Sequence, residues 1–185
     1  VAGSTWEDDE AELSHFVKAN PDIRFIIAPH EIDAENLKDV HQLFPQAVFF
    51  SEYNAEPNRF SDKNCMIIDN IGMLSRLYKY ADICYVGGGF GNDGVHNVLE
   101  AAVYGKPVMY GPVYDKYIEA EELIECGGGI VINNALELEK EITTLLQSDV
   151  ELKQCGENAA EYVRKNAGAT KKIIDYIYAN RLLIN

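Results

Sequence analysis

Short apolar segments alternate with amphipathic helical segments along nearly the whole chain. After the end of a strand at residues 1–2, the pattern predicts strands at 23–28, 47–50, 65–68, 83–86, 107–110 and 130–132. It predicts helices at 7–19, 33–43, 72–80, 98–104, 119–125, 135–147, 149–166 and 169–181. Strands that alternate with helices form a parallel sheet with helices on both faces. The sequence therefore predicts an α/β fold in one domain spanning residues 1–185, closed by helices over 149–181.

Size and composition narrow the classes of function. A chain of 185 residues with 47% hydrophobic residues is large enough for one domain with a sizeable core. Its net charge of −14 argues against binding of bulk nucleic acid, which requires a basic face. No apolar segment approaches the ~18 residues that a membrane-spanning helix needs, and no signal peptide is recognisable.

The cysteines and the first helix indicate structural roles. The four cysteines are widely spaced and form no metal-binding pattern, so we expect reduced structural thiols and no metal. The acidic run Glu7–Glu12 is expected to be a solvated first turn, which the helix dipole favours. Asp33 is a candidate N-cap, 52–64 is predicted to be a loop, and Gly168 is a predicted helix break. Because the chain begins with the end of a strand, we expect it to be a domain of a longer protein.

The most informative segment is the glycine-rich stretch Gly87–Glu100, which follows the strand 83–86. Glycine allows close approach of a ligand to the backbone, and a helix N-terminus offers free N–H groups to an anion. A helix is predicted to start near His96, with Asn97 and Glu100 on one face of its first turn. Loops at residues 3–5, 29–30 and 111–112 also follow strands, and ligands of parallel sheets bind at that edge. The pattern suits a phosphate beside a polyhydroxylated sugar.

Three other interpretations of the glycines, a dinucleotide fingerprint, a P-loop and a purely structural turn, fit less well than a site for phosphate and sugar. Residues 89–94 match the dinucleotide pattern, but they come late in the chain and no acidic residue ends the next strand. A P-loop is excluded because no Lys-Ser/Thr pair has the required spacing. A tight strand-to-helix turn would explain one or two glycines, but not five beside a histidine, an asparagine and a glutamate.

Three segments, 3–5, 69–82 and 87–112, occur in the order and spacing of a known family. They resemble the donor-binding, C-terminal half of a GT-B glycosyltransferase, most closely 3-deoxy-D-manno-octulosonic acid (Kdo) transferase. The matching features are a Gly-Ser-Thr sequence, an Asp-Asn-x-Gly-x-Leu-x-x-Leu-Tyr-x-x-Ala-Asp segment and a His-Asn-x-Leu-Glu motif followed by Gly-Lys-Pro-Val and Gly-Pro. The resemblance implies one Rossmann-like half of a GT-B fold.

The resemblance also implies a donor site for CMP-Kdo. Asn97 would face phosphate, and the Glu100 carboxylate would accept hydrogen bonds from the ribose hydroxyls. The predicted donor-binding residues are Ser4, Thr5, His30, Gly72, Met73, Leu74, Gly88, Gly89, His96, Asn97 and Glu100. A capping or packing role before the helix is the simpler alternative for His96.

Three positions depart from the family pattern. The second loop, usually Pro-Arg-His, here contains only Pro29 and His30, so the arginine that would neutralise the donor is missing. Its charge has three candidate replacements: Arg59, Arg76 and Lys116. Trp6 stands where the family has histidine, and Val95 replaces a glycine.

The resemblance implies Kdo transfer to a lipid A precursor in lipopolysaccharide core biosynthesis, at the cytoplasmic face of the inner membrane. No cofactor or metal is implied. The base, the acceptor site and the membrane-associating segment would belong to an N-terminal domain, so this chain would be soluble and inactive alone. Two alternatives remain: another UDP- or GDP-sugar transferase or epimerase of the GT-B fold, and a non-catalytic nucleotide-binding domain.

Overall fold

The computed structural model describes residues 1–60 and 62–182, without the side chains of residues 59 and 60. Its strands are β1 (Ala2–Thr5), β2 (Phe25–Pro29), β3 (Val48–Phe49), β4 (Cys65–Ile67), β5 (Cys84–Val86), β6 (Val108–Tyr110) and β7 (Gly129–Val131). They form one seven-stranded sheet in the order β3-β4-β2-β1-β5-β6-β7. Every neighbouring pair is parallel, which confirms the predicted fold class.

Helices connect these strands and close the chain. They are α1 (Glu7–Ala19), α2 (Ala34–Leu43), α3 (Phe50–Ala55), α4 (Leu74–Leu77), α5 (Leu99–Ala102), α6 (Ile118–Glu125), α7 (Ala135–Gln147), α8 (Asp149–Asn166) and α9 (Ala169–Ala179). Short 3₁₀ turns follow α3 at Pro57–Phe60 and α4 at Tyr78–Tyr80. The Asp33 carboxylate caps α2, as predicted, by accepting from the backbone N–H groups of Glu35 and Asn36. Gly168 has φ +93° and separates α8 from α9, also as predicted.

The predicted loop over 52–64 is wrong in its first part, where α3 is found. Polar composition favoured a loop, but local contacts stabilise this short helix. The Glu52 carboxylate accepts from the backbone N–H of Phe49 at 3.3 Å, and Asp69 accepts from the backbone N–H of Ser51 at 3.1 Å. Such contacts satisfy free N–H groups of a helix start.

Alternate strand residues point to two separate cores on the two faces of the sheet. Tyr85 and Met109 pack with α1, α2 and α7, whereas Cys84, Val86 and Val108 pack with α5, α6 and α8. This is the period-2 alternation of a sheet that is covered on both sides. Because helices cover both faces of the sheet, the carboxyl-terminal edge of the strands, where loops lead into the helices, remains uncovered by these cores.

All four cysteines are free, and Cys65, Cys84 and Cys155 are buried. Burial raises the pKa of the Cys65 thiol to about 12, which keeps it protonated at neutral pH. Within residues 1–60 and 62–182, no helix combines the length and apolarity required to span a bilayer.

Candidate functional site

The predicted site residues come from loops at the carboxyl ends of β1, β2, β4 and β5, which are neighbours in the sheet. Ser4, His30, Gly72 and Leu74 line one cleft of about 440 Å³. The glycine loop after β5 lies on the other side of β1 from β2 and β4. Four separate sequence segments thus meet along one edge of the sheet.

The predicted Gly3-Ser4-Thr5 loop is instead the last part of β1. The pairing of β1 with β2 shifts register between Gly3 and Thr5, and Ser4 adopts a positive φ of 53°. Left-handed backbone is uncommon for a non-glycine residue and often marks a functional position. The Gly3 carbonyl accepts from Gly87 N–H, and the Thr5 carbonyl accepts from His30 N–H, each at 2.9 Å. The end of β1 therefore fixes the loops on both of its sides.

Thr5 is buried, and its hydroxyl points into the protein. Its Oγ1 donates to Oε1 of Glu10 at 2.7 Å. This hydroxyl is occupied by an internal carboxylate, whereas Ser4 is the residue of this segment that lines the cleft.

The expectation that the acidic run is a solvated first turn is wrong for two of its members. Asp9 and Glu10 are 0% and 2% exposed. Asp9 accepts hydrogen bonds from Trp6 N–H, from Gly88 N–H and from the Tyr85 hydroxyl, at 2.6–2.9 Å. Burial raises the pKa of Asp9 despite these hydrogen bonds, and burial raises the pKa of Glu10 to about 7. The start of α1 is therefore a buried polar support for the glycine loop.

The glycine loop is more constrained by its own packing than the sequence indicated. Gly88 has φ +92° and donates its N–H to Asp9. A Cβ at Gly89 would lie 2.6 Å from the backbone nitrogen of Gly111. Gly87 and Gly94 are restricted in similar ways. A tight turn therefore explains four of the five glycines, not one or two, and the glycines alone are weaker evidence for a ligand than expected.

The helix after the glycine loop starts later than predicted. α5 begins at Leu99 and has four residues, so His96 and Asn97 precede it. The Asn97 amide oxygen accepts from Leu99 N–H at 3.1 Å, and its amide nitrogen donates to Oε1 of Glu100 at 3.2 Å. The Asn97 side chain satisfies a free N–H group at the start of this helix, and the short helix offers a smaller dipole to an anion than the prediction assumed. Asn97 and Glu100 are adjacent, as predicted.

Trp6, His30 and His96 form a cluster of three rings, here called the ring cluster. His30 stacks on Trp6 and on His96, with ring centroids 4.5 Å apart in both cases. Trp6 donates its Nε1–H to Nε2 of His96 at 2.9 Å. The sequence identified both histidines but not Trp6; its replacement of a family histidine was the available signal.

Glu100 interacts electrostatically with groups in two parts of the site. Burial and the neighbouring His30 lower the pKa of His96 below its usual value. Asp9, Asp93 and Glu100 act in the opposite direction, but their effect is the smaller one. Glu100 also contributes to the raised pKa of Tyr78, although burial of that phenol contributes most. The methyl groups of Leu74 and the Tyr78 hydroxyl occupy the space beside Gly3. Glu100 thus interacts electrostatically with the ring cluster and with Tyr78, which follows the segment that contains Gly72, Met73 and Leu74.

The basic residues proposed as replacements for the missing arginine have local partners. Arg76 donates to the carbonyl of Gly72 at 3.4 Å, and the Lys116 ammonium donates to the carbonyl of Asn92 at 2.6 Å. The side chain of Arg59 lies outside the described residues. Of the two described candidates, Lys116 contacts the glycine loop and Arg76 contacts the Gly72 segment. Within the part of the chain that the structure describes, no group of three or more His, Cys, Asp or Glu side chains is placed to hold a metal ion.

Known proteins are similar to this chain in sequence and in structure. The chain is 39% identical over 89 residues to the 3-deoxy-D-manno-octulosonic acid transferase of Aquifex aeolicus, covering 48% of this chain and 25% of that protein. It is 30% identical over 162 residues to the enzyme of the same name from Chlamydia trachomatis, covering 86% of this chain and 35% of that protein. It matches no protein-family model.

The structural comparison agrees on the fold. The C-terminal CMP-Kdo binding domain of WaaA from Acinetobacter baumannii superimposes with a TM-score of 0.76 at 19% identity, covering 88% of this chain and 86% of that one. The resemblance drawn from the three motif segments is thus confirmed. The chain spans a quarter to about a third of the length of the two sequence relatives named above.

Proposed function

The chain is related in sequence to the Kdo transferases and has the fold of a GT-B half, and we propose that it binds the CMP-Kdo donor for such an enzyme. The whole protein would transfer Kdo to a lipid A precursor in lipopolysaccharide core biosynthesis, at the cytoplasmic face of the inner membrane. The acceptor site and the base would lie in a second, N-terminal Rossmann-like half. We propose that residues 1–185 form one domain that binds the nucleotide sugar. This size agrees with a chain that spans a quarter to about a third of these relatives.

One observation carries the proposal. The segments that match the family motifs are far apart in sequence, yet the structure brings them to one edge of the sheet. Ser4, His30 and Gly72 line one cleft, and the Glu100 carboxylate, which accepts from Asn97, also interacts electrostatically with His96 and Tyr78. A parallel α/β sheet binds its ligands at this edge.

The roles that we propose follow from the chemistry of the side chains. The Glu100 carboxylate has acceptor capacity beyond its one bond to Asn97, and two vicinal ribose hydroxyls can donate to it. Ser4 and the ring cluster would contact the phosphate and the sugar. Gly72, Met73 and Leu74 would border the nucleoside, with the exposed Gly72 leaving room for a flat ring.

Nucleotide binding tests the proposal directly. CMP, UDP and GDP are compared by calorimetry and by thermal unfolding of the protein. At a concentration of 100 times Kd, a bound nucleotide stabilises by about 2.7 kcal/mol, which raises the Tm by about 5–10 °C for a chain of this size. We expect CMP to give the largest rise. Stabilisation by UDP or GDP but not by CMP would favour the alternative, another sugar-nucleotide enzyme of the GT-B fold.

A substitution at Glu100 tests the ribose contact. Glu100→Gln keeps the shape but removes the charge, and hydrogen bonds to a charged group contribute about 1.5–3 kcal/mol, so we expect CMP affinity to fall by about 10- to 100-fold. Glu151→Gln, at an exposed glutamate in the first turn of α8, is the matched control and should bind CMP like the wild type. Equal affinities of the two variants would contradict the assigned role of Glu100.

A further inference from the structure

We infer that Trp6 is a positioning residue of the site, which holds His96 as a neutral imidazole with a fixed tautomer and keeps His30 stacked across the pair. The ligand of the site rests on the proposed function, but the arrangement of the three rings does not. Trp6 was not among the residues that the family resemblance assigned.

The hydrogen bond between Trp6 and His96 determines the protonation of His96. An indole N–H can only donate, so the Nε2 atom of His96, 2.9 Å away, must be an acceptor without a proton. The neutral ring then carries its proton on Nδ1. Near-parallel planes, 13° apart, with centroids separated by 6.3 Å place the two rings edge to edge. His30 stacks on both, with centroids 4.5 Å from each.

The surroundings of Trp6 hold it in place. Its backbone N–H donates to Asp9, the same carboxylate that accepts from Gly88 in the glycine loop. A Cβ at Gly88 would lie 2.9 Å from Cδ2 of His96, so the ring of His96 packs directly on this loop. The buried Asp9 carboxylate and the backbone of Gly88 therefore hold Trp6 and His96 in place.

The titratable groups that face His96 come from four elements: His30 after β2, Asp9 in α1, Asp93 in the glycine loop and Glu100 in α5. Burial and His30 disfavour the charged ring, and the three carboxylates favour it; together they lower the pKa of His96. The hydrogen bond from Trp6 also lowers the pKa of His96, since protonation of Nε2 would break it.

This arrangement has a functional consequence. An exposed histidine changes charge near pH 6.5, so an anionic ligand that contacts it binds with a pH-dependent affinity. A neutral His96 instead offers one N–H donor, at Nδ1, whose availability is constant at neutral pH. A histidine at position 6, as in the family pattern, would itself titrate, whereas indole does not.

The test is a histidine titration by NMR in the ligand-free protein, wild type against Trp6→Phe. Phenylalanine keeps a flat apolar ring but has no N–H donor. We expect the pKa of His96 to rise by about 0.5–1 in Trp6→Phe, because the variant loses one neutral hydrogen bond that stabilises the unprotonated Nε2. His41, whose ring contacts Phe49, is the internal control, and its NMR signals should be the same in both proteins. An unchanged midpoint of His96 overturns the inference and leaves Trp6 with a packing role.

A second measurement needs no variant. Trp6 is the single tryptophan of the chain, so its fluorescence reports this site alone. We expect the wild-type fluorescence to change with the midpoint of His96 measured by NMR; a fluorescence that ignores this midpoint overturns the inference.

CMP binding then separates this inference from the proposed function. The wild-type affinity should differ by less than about threefold between pH 6.5 and 8, and that of Trp6→Phe by more. Equal pH profiles of the two proteins contradict the role of Trp6 in binding. Absence of CMP binding to the wild type would refute the proposed function while leaving the NMR result valid for the rings.

Discussion

At the scale of single residues, the unexpected finding is a pair of buried carboxyl groups below the site. Asp9 is fully satisfied by three donors, and Glu10 accepts from Thr5. Their burial opposes ionisation, and Asp9 and Glu7 add repulsion at Glu10. Glu10 is therefore a group whose protonation differs between the folded and unfolded chain near neutral pH.

We predict that Glu10 makes the protein less stable as the pH rises from 4.5 to 7. Its pKa is raised from 4.5 to about 7 in the folded state, so the folded state holds the proton through this window and the unfolded state releases it. The stability that protonated Glu10 contributes is fully present below about pH 4.5, is lost as the pH rises and stays level above about 7. The difference amounts to about 3 kcal/mol.

Urea unfolding at pH 5 and pH 8 measures this effect. Glu10→Gln keeps an acceptor for the Thr5 hydroxyl but cannot ionise, so we expect it to lose most of the decline and to exceed the wild type at pH 8. Glu121→Gln, at an exposed position of α6, should follow the wild type at both values. A decline of equal size in Glu10→Gln and the wild type would show that another group is responsible.

A signal for these buried carboxyl groups was present in the sequence. Leu13 was identified as part of the apolar stripe of the first helix, and Asp9 and Glu10 precede it by four and three residues, so helical periodicity places all three on one face. The acidic composition of this turn and the helix dipole pointed to solvent instead. What the sequence could not provide is the donors, since Tyr85 and Gly88 approach Asp9 only once β5 pairs with β1.

At the scale of elements, the glycine loop connects β5 to α5 and also packs against the loop that follows β6. The Gly89 carbonyl accepts from Val113 N–H at 2.8 Å, and Gly89 and Gly111 pack backbone against backbone. The loops after β5 and β6 thus support each other at the edge of the sheet.

We predict that Gly89→Ala destabilises the protein and Gly91→Ala does not. A Cβ at Gly89 would meet backbone atoms of Gly111 at 2.6–2.9 Å, and backbone cannot give way cheaply; overpacking of this kind costs about 1–3 kcal/mol. A Cβ at Gly91 would find its nearest neighbour at 3.5 Å, so we expect a change within about 0.5 kcal/mol. Urea unfolding of the two variants gives both values, and similar values for the two would refute the packing argument.

Long helices were predicted from the sequence almost to the residue and most strands to within two residues, because apolar runs and helical periodicity are local properties; β1 is the exception, since residues 3–5 were predicted to be a loop. Helices 7–19, 135–147 and 149–166 were found within the predicted bounds. Short elements were missed or shortened, because they depend on side-chain contacts: α3 on a contact with Asp69, and α5 on the hydrogen bond between Leu99 N–H and the Asn97 side chain. Most of the predicted site residues lie near one another, whereas Trp6 emerged only when His30 and His96 were brought beside it by different strands.

At the scale of the whole molecule, the acidic character of the chain has a counterpart in its site. The net charge is −14, and the carboxylates Asp93 and Glu100 lie near the ring cluster. On the proposed function, an anionic donor would be held by local contacts, from backbone N–H groups, neutral side chains and the nearby Arg76 and Lys116, since the general field of the protein repels it. Local donors of this kind bind a ligand but do not remove a proton from an acceptor hydroxyl.

We predict that the 185-residue chain binds CMP but does not transfer Kdo from CMP-Kdo to a lipid A precursor. Glycosyl transfer with inversion requires a base within hydrogen-bond reach of the acceptor hydroxyl. In the described site, Asp9 already accepts from three donors and Glu10 from Thr5, and the proposed function assigns Glu100 to the ribose hydroxyls, so none of these three carboxyl groups is assigned to that role. A transfer assay on the chain, with CMP binding measured on the same preparation to show that it is competent, should give no product above background. Turnover by the chain alone would contradict this prediction, and loss of that turnover in Glu100→Gln would then identify Glu100 as a group that it requires.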